Sequence, residues 1–389
     1  MWGEGARPMR KITSFLLCLC LLSVPVLALE PLPEDTFDLP CTAAILTEKE
    51  TGTILYEKNA YEHLSPASVT KVMTLLLIAE AVENGSLSPE ETVTASTRAS
   101  SMGGSQVWLR EGEQMSVSEM TKCVAVVSAN DCAVALAEHL CGSEDAFVAR
   151  MNERAAELGL EDTHFTNCTG LFEDSDHYTC AHDVAVIARE VLRHDFIRQF
   201  ASIWTDSIRE GSFGLTNTNR LVHYYEGCTG LKTGFTAKAM FCLAASAERQ
   251  GVEYIAVILH GETSQLRFDA ARTLLDYAFA NYTLLTPAPD GELPVVPVTM
   301  GTKESVGVVC TGGGAVLTEK ASAARITQNA TLPESIKAPV EAGDVLGELV
   351  LSDGDKVIAR LPLVAAESVR RLGLGAIWLG LVKTLCTGE

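Results

Sequence analysis

Short β-prone apolar runs occupy residues 42–46 and 53–57, joined by polar residues around 48–52. Two such runs with a turn between them predict a β-hairpin. The apolar spacing then lengthens to a helical period, and residues 66 to about 200 read as mostly helical, with 189–192 closing the region. Ser65 can cap the first helix and Pro66 can open it, which puts Ser68 in the first turn. Ser116 and Glu119 form a capping box for a helix running toward Val127, and a second helix over 131–140 is stopped by Gly142. Strand-like text returns at 231–236, 241–248 and 252–260, with a turn at 249–251 between the last two. Residues 263–281 then place Leu266, Ala270, Leu274, Tyr277 and Ala278 on one helical side. Strands, helices, strands and a closing helix predict an α+β domain, with a helical lobe beside an antiparallel sheet.

The text changes character at 286–291, where Thr286-Pro287-Ala288-Pro289-Asp290-Gly291 reads as a linker. Beyond it, 295–363 is rich in Val, Gly and Thr, with turns at 312–314 and 353–355, and predicts a small all-β domain. The two ends differ from both bodies. Arg7, Arg10 and Lys11 precede an apolar run over 12–26, and Ala28 offers a small-residue cleavage site, so 1–28 reads as a secretory signal peptide. At the other end, 372–382 is uncharged, contains Trp378, and is flanked by Arg370, Arg371 and Lys383. Eleven uncharged residues are too few to span hydrocarbon, but they suit an amphipathic segment lying in a membrane interface. The expected organisation is 1–28 signal, 29–285 main domain, 286–365 β-domain and 366–389 membrane anchor.

Composition sharpens this picture. The 389 residues fit about two domains, and a mean hydropathy of +0.17 with 47% hydrophobic residues excludes disorder. Loss of Arg7, Arg10, Lys11 and Glu4 turns 30 basic and 50 acidic residues into 27 and 49, moving the charge from -20 to -22. With no Lys/Arg-dense tract, nucleic acid is excluded as a partner, because backbone phosphates need clustered positive charge. Twelve Cys occur, ten of them after the signal, and export leaves disulfides open without fixing their pairing. Cys123, Cys132 and Cys141 lie in apolar helical text and read as small buried hydrophobes. His177, Cys180 and His182 superficially resemble a metal cluster, but no HExxH or paired CxxC accompanies them, and a structural loop is the preferred reading.

Three short motifs carry candidate chemistry: Ser68-x-x-Lys71, Ser128-Ala129-Asn130 and Lys232-Thr233-Gly234. Residues three apart on a helix share a face, so an ammonium can approach the Ser68 hydroxyl. That hydroxyl needs a base, and Lys71 can serve once burial or a second cation depresses its pKa. Each motif alone is weak, since a chain of this size holds about one SxxK by chance. Their order and context carry the signal: one opens a helix, one interrupts two helices, and one lies in a strand.

With these motifs the sequence resembles the low-molecular-mass penicillin-binding D-alanyl-D-alanine carboxypeptidases, serine peptidases with a β-lactamase/transpeptidase-like fold. Thr163-His164-Phe165-Thr166-Asn167 with Gly170-Leu171, Gly230-Leu231 before Lys232, Phe235-Thr236 after Gly234, and Leu274-Leu275-Asp276-Tyr277 extend the match over nearly the whole chain. The resemblance implies Ser68 as the acylated nucleophile, Lys71 as general base and Ser128 as proton relay. It implies that Asn130 holds the substrate peptide, that Lys232, Thr233 and Gly234 line the opposite wall, and that Arg267 assists carboxylate recognition. The oxyanion hole would use the backbone N-H groups of Ser68 and Phe235. The substrate would be a peptidoglycan stem peptide ending in D-Ala-D-Ala, with β-lactams as inhibitors of the same Ser, at the outer face of the cytoplasmic membrane. No metal or organic cofactor is required. One departure is Cys168-Thr169-Gly170-Leu171, which lacks the His that some relatives place before Gly-Leu.

Two other readings share the motifs. A serine β-lactamase would need a Glu-x-x-x-Asn loop base roughly 35 residues after the middle motif, and 161–167 holds no correctly spaced pair. A noncatalytic penicillin-binding sensor would not require the Lys base.

Overall fold

A computed structural model describes residues 29–172, 174–287, 295–310, 314–375 and 378. The expected signal, 1–28, lies outside the described residues, as do most of the linker and the end of the anchor segment. At the centre is a five-stranded antiparallel sheet ordered Ile54–Lys58, Cys41–Glu48, Val252–Gly261, Met240–Arg249, Cys228–Thr236. The first two strands are the expected hairpin. Its central strands read as near-continuous apolar runs because both sheet faces are buried. Ala43, Ile45, Ile255, Val257 and Leu259 pack toward the helical lobe, while Ala44, Leu46, Tyr254, Ala256 and Ile258 pack against the closing helix Ser264–Asn281. The closing helix contributes Phe268, Ala271, Leu274 and Leu275, and its N-cap Thr263 accepts from the Leu266 N-H at 3.1 Å.

The helical lobe inserts between the hairpin and the other three strands. Val117–Val127 opens on the predicted cap, with Ser116 Oγ accepting from the Glu119 N-H, and ends at Ser128 in the left-handed region (φ 64). Asn130–Cys141 follows at once and stops at Gly142, φ 81, which has no Cβ to strain there. A sharp corner therefore presents Ser128, Ala129 and Asn130 between two buried helices. Glu144–Glu157, Ala181–Val191 and Asp195–Ala201 complete the lobe. The last of these runs past 189–192, where the sequence had the helical region ending.

A second difference concerns the turn that carries Ser68. Ser65 does not cap an α-helix: Ala67–Thr70 forms a 3-10 turn behind Pro66 with no side-chain cap, and the α-helix proper is Lys71–Glu83. The Ser65 carbonyl instead accepts from His260 Nε2 at 3.2 Å, and within the turn Thr70 Oγ1 donates to the Ala67 carbonyl at 2.8 Å. Ser68 and Lys71 therefore meet at the junction of two helix types.

The C-terminal region is β-rich as expected. A four-stranded antiparallel sheet (Val308–Cys310, Lys356–Ala365, Val345–Asp353, Ile326–Thr331) faces a three-stranded one, with Val296, Val306, Leu349, Leu351, Leu361 and Leu363 in its core. Val316–Glu319 leaves this region to pair with Tyr282–Leu285, and its Leu317 joins the core under the closing helix.

Candidate active site

Lys71 Nζ donates to Ser68 Oγ at 3.0 Å and to the Thr169 carbonyl at 2.8 Å. Burial is complete, and desolvation pushes the Lys71 pKa down to about 7, against smaller opposing effects of Cys168 and Asp131. A lysine in this state is a neutral amine for much of the time near neutral pH and can take a hydroxyl proton. Lys232 is buried as well, and desolvation followed by the Lys71 and Arg267 charges holds its pKa well below the usual lysine value.

The K-T-G strand, Cys228–Thr236, runs directly past the Ser68 turn. A Cβ at Gly234 would meet the Pro66 carbonyl at 2.7 Å and the Ser68 nitrogen at 3.0 Å, so only glycine permits this approach. Thr233 Oγ1 donates to Thr218 Oγ1 at 2.7 Å, and the Thr218 N-H bonds the Val126 carbonyl, which couples this strand to the Ser128 corner. Phe235 is 58% exposed and stacks on Phe241, with ring centroids 4.4 Å apart.

Two polar atoms at the corner are conspicuous. Ser128 Oγ and Asn130 Oδ1 are buried and take no partner within the protein, whereas Asn130 Nδ2 donates to the Gly103 carbonyl at 2.7 Å. Burying an unpaired hydroxyl or amide oxygen costs on the order of 1–3 kcal/mol, so such atoms mark positions kept for another purpose. The neighbouring Asp131 is fully satisfied: it accepts from the Val107 and Leu109 N-H groups, both at 3.0 Å, and ties down the loop opposite.

Arg267 reaches the same wall from the closing helix, but its Nη1 donates to the Gly234 and Cys242 carbonyls at 2.9 and 3.1 Å. It braces the strand and adds positive potential, with burial lowering its own pKa to about 10. The sequence reading missed Thr218, Thr169 and the Asn167 turn. The Asn167-x-Thr169 and Gly170-Leu171 text was the available signal. Gly170 has φ 70, and a Cβ there would lie 1.8 Å from the Ala67 carbonyl, so this turn packs on the Ala67–Thr70 turn that carries Ser68.

His177 and Cys180, grouped by the sequence, separate in the structure. His177 Nε2 lies 2.8 Å from Thr70 Oγ1, while Cys180 Sγ caps the Ala181–Val191 helix by accepting from the Asp183 N-H. Cys180, His182 and Asp183 bring potential ligand atoms within 4.8 Å of one another, but Asp183 already accepts from Thr163 Oγ1 at 2.7 Å and pairs with His182 at 3.0 Å. The nine described cysteines are free thiols; Cys123 and Cys132 are buried as expected, and Cys141 is partly so.

Residues 31–263 match the family model described as D-alanyl-D-alanine carboxypeptidase. The chain belongs to this family. Residues 282–371 match the C-terminal domain of penicillin-binding protein 5. Among curated relatives, D-alanyl-D-alanine carboxypeptidase DacF of Bacillus subtilis is 40% identical over 336 residues, covering 85% of this chain and 86% of its own. DacC of Escherichia coli is 30% identical over 358 residues, covering 89% of both. The solved penicillin-binding protein 5 of Haemophilus influenzae superposes with a TM-score of 0.77 at 28% identity, covering 88% of this chain and 100% of that one. The enzyme is a serine-type D-alanyl-D-alanine carboxypeptidase with the penicillin-binding protein fold, as the motifs implied.

Proposed function

We propose that this carboxypeptidase removes the terminal D-Ala of peptidoglycan stem pentapeptides through an acyl ester on Ser68, and that β-lactams acylate the same oxygen. The observation that carries this is the 3.0 Å contact between Ser68 Oγ and a fully buried Lys71 whose pKa burial brings to about 7. Ser68 Oγ adds to the penultimate D-Ala carbonyl carbon while its proton passes to Lys71 Nζ. The oxyanion is held by the backbone N-H groups of Ser68 and Phe235. The C-N bond then breaks, and the Ser128 hydroxyl relays a proton from Lys71 to the leaving amine. Water next adds to the ester, gives its proton to Lys71, and Ser68 leaves protonated. Asn130 binds the substrate amide, while Lys232, Thr233 and Gly234 line the site for the terminal carboxylate. Arg267 reinforces the positive potential there.

We assign residues 1–28 as an export signal, 29–285 as the catalytic domain, 286–365 as the β-domain and 366–389 as an interfacial anchor. The enzyme would then work at the outer face of the cytoplasmic membrane, where its substrate lies. Leu374 and Trp378 are 86% and 68% exposed, in keeping with an apolar terminal segment that seeks a surface. No helix among the described residues is long and apolar enough to cross a membrane. The test pairs a fluorescent penicillin with an acyl-D-Ala-D-Ala peptide. Stoichiometric labelling with D-Ala release, both lost in Ser68→Ala, is the expected result. Labelling without release would indicate a sensor, and rapid turnover of the penicillin a β-lactamase.

A further inference from the structure

The Thr169 carbonyl that accepts from Lys71 comes from a turn 98 residues away in sequence, so something must hold that turn in place. Asn167 does part of this. Its Oδ1 accepts from the Gly170 N-H at 2.7 Å and from the Thr169 N-H and Oγ1, both at 3.1 Å, which folds the turn around one oxygen. His177, 3% exposed, lies behind it. Its Nε2 is 2.8 Å from Thr70 Oγ1, between Ser68 and Lys71 in the chain, and its Nδ1 is 3.1 Å from the Thr166 nitrogen.

The direction of these bonds follows by elimination. A threonine hydroxyl has one proton, and Thr70 gives it to the Ala67 carbonyl at 2.8 Å. His177 Nε2 must therefore donate to Thr70, leaving Nδ1 to accept from the Thr166 N-H. Only the neutral imidazole in that single tautomer satisfies both neighbours.

We infer that His177 and Asn167 are positioning residues that clamp the 166–170 turn to the nucleophile turn and so hold the Thr169 carbonyl on Lys71. Neither touches substrate. Their effect passes through the orientation of Lys71, so the inference rests on the reading of Lys71 as general base. With the Thr169 carbonyl accepting one of its protons, the neutral Lys71 amine can point its lone pair at the Ser68 hydroxyl, and displacement by about 1 Å costs roughly 100-fold in rate.

The experiment measures penicillin acylation rate, labelling stoichiometry, and kcat and KM for D-Ala release on the full-length protein. His177→Leu is expected to slow acylation and lower kcat roughly 10- to 100-fold, with full final labelling and KM nearly unchanged. His177→Gln, whose amide can still donate to Thr70, is expected to recover most of the rate. A His177→Leu protein that labels fully at the parental rate would overturn the clamp. So would a loss that appears only as a smaller labelled fraction, which is the mark of misfolding. Should His177→Leu not fold, Asn167→Ala against Asn167→Asp reads the same clamp, because Asp keeps the triple acceptor. Rate lost in the first and kept in the second supports it, and equal rates overturn it. Ser68→Ala separates the two layers: residual labelling there would sink the assignment of the nucleophile, whereas its complete loss beside a parental His177→Leu rate sinks the clamp alone.

Discussion

Lys71 and Lys232 are both fully buried, close enough that the charge of the first lowers the pKa of the second. Two ammonium groups cannot both stay charged cheaply in such a place, so the pair favours a neutral amine until an anion arrives. On the proposed reading, a substrate carboxylate would supply that anion on the Lys232 side. Binding would then charge Lys232 while leaving Lys71 free to act as base.

The first prediction follows from Lys71. Its pKa is lowered to about 7, so below that pH it is an ammonium and cannot take the Ser68 proton. The acylation rate is expected to rise with pH and reach half its plateau near pH 7. Lys71→Arg, which keeps the charge but does not deprotonate, should lose on the order of 100- to 10,000-fold at all pH values between 6 and 9. Stopped-flow acylation by a chromogenic penicillin measures both. A flat profile in the parent would overturn the role.

Ser128 separates function from stability. Its hydroxyl is buried without a protein partner, so Ser128→Ala removes no hydrogen bond that the fold uses. Thermal unfolding is expected to stay level or rise slightly, while kcat falls by roughly 100-fold or more. A large drop in stability with kcat preserved would mean that the hydroxyl serves packing.

The motifs were legible because each is local. Three residues of helix fix the Ser68 to Lys71 offset, and the capping box at Ser116 and the stop at Gly142 frame the Ser128 corner. The hairpin, the three later strands and the closing helix were legible from period alone. What escaped is set by distant contacts. Ala67–Thr70 is a 3-10 turn, and the Ser65 carbonyl just before it is held by His260 from a distant strand, a bond that no local propensity encodes. Thr218 reaches Thr233 from another element, and Thr169 reaches Lys71 across the lobe. Likewise, Val316–Glu319 lies beyond the linker yet pairs with Tyr282–Leu285, which composition could not foresee.

Gly170 tests whether that distant turn matters. With φ 70 and an added Cβ placed 1.8 Å from the Ala67 carbonyl, Gly170→Ala must push the turn away from the Ala67–Thr70 segment that carries Ser68. Backbone strain at such a position costs on the order of 1–3 kcal/mol, and the clash adds to it. Urea unfolding is expected to show a loss of at least about 2 kcal/mol, with acylation slowed in the fraction that remains folded. Gly142→Ala, with φ 81 but open space around its Cβ, serves as the control: stability should fall by less and the acylation rate should hold.

The last prediction concerns acid. Burial pushes the His177 pKa from 6.5 down to about 4, with Asp174 raising it and His164 lowering it by smaller amounts. The fold therefore favours the neutral ring, whereas the unfolded chain protonates near the ordinary value. Stability from this group is fully present above about pH 6.5 and is lost as pH falls through about 4, over a range of roughly 3 kcal/mol. Protonation would also set an N-H at Nδ1 against the Thr166 N-H, where only an acceptor fits. Unfolding free energies measured between pH 7 and pH 4 are expected to fall more steeply in the parent than in His177→Gln, which has no proton to gain. Parallel curves for the two proteins would show that His177 is not the titrating group.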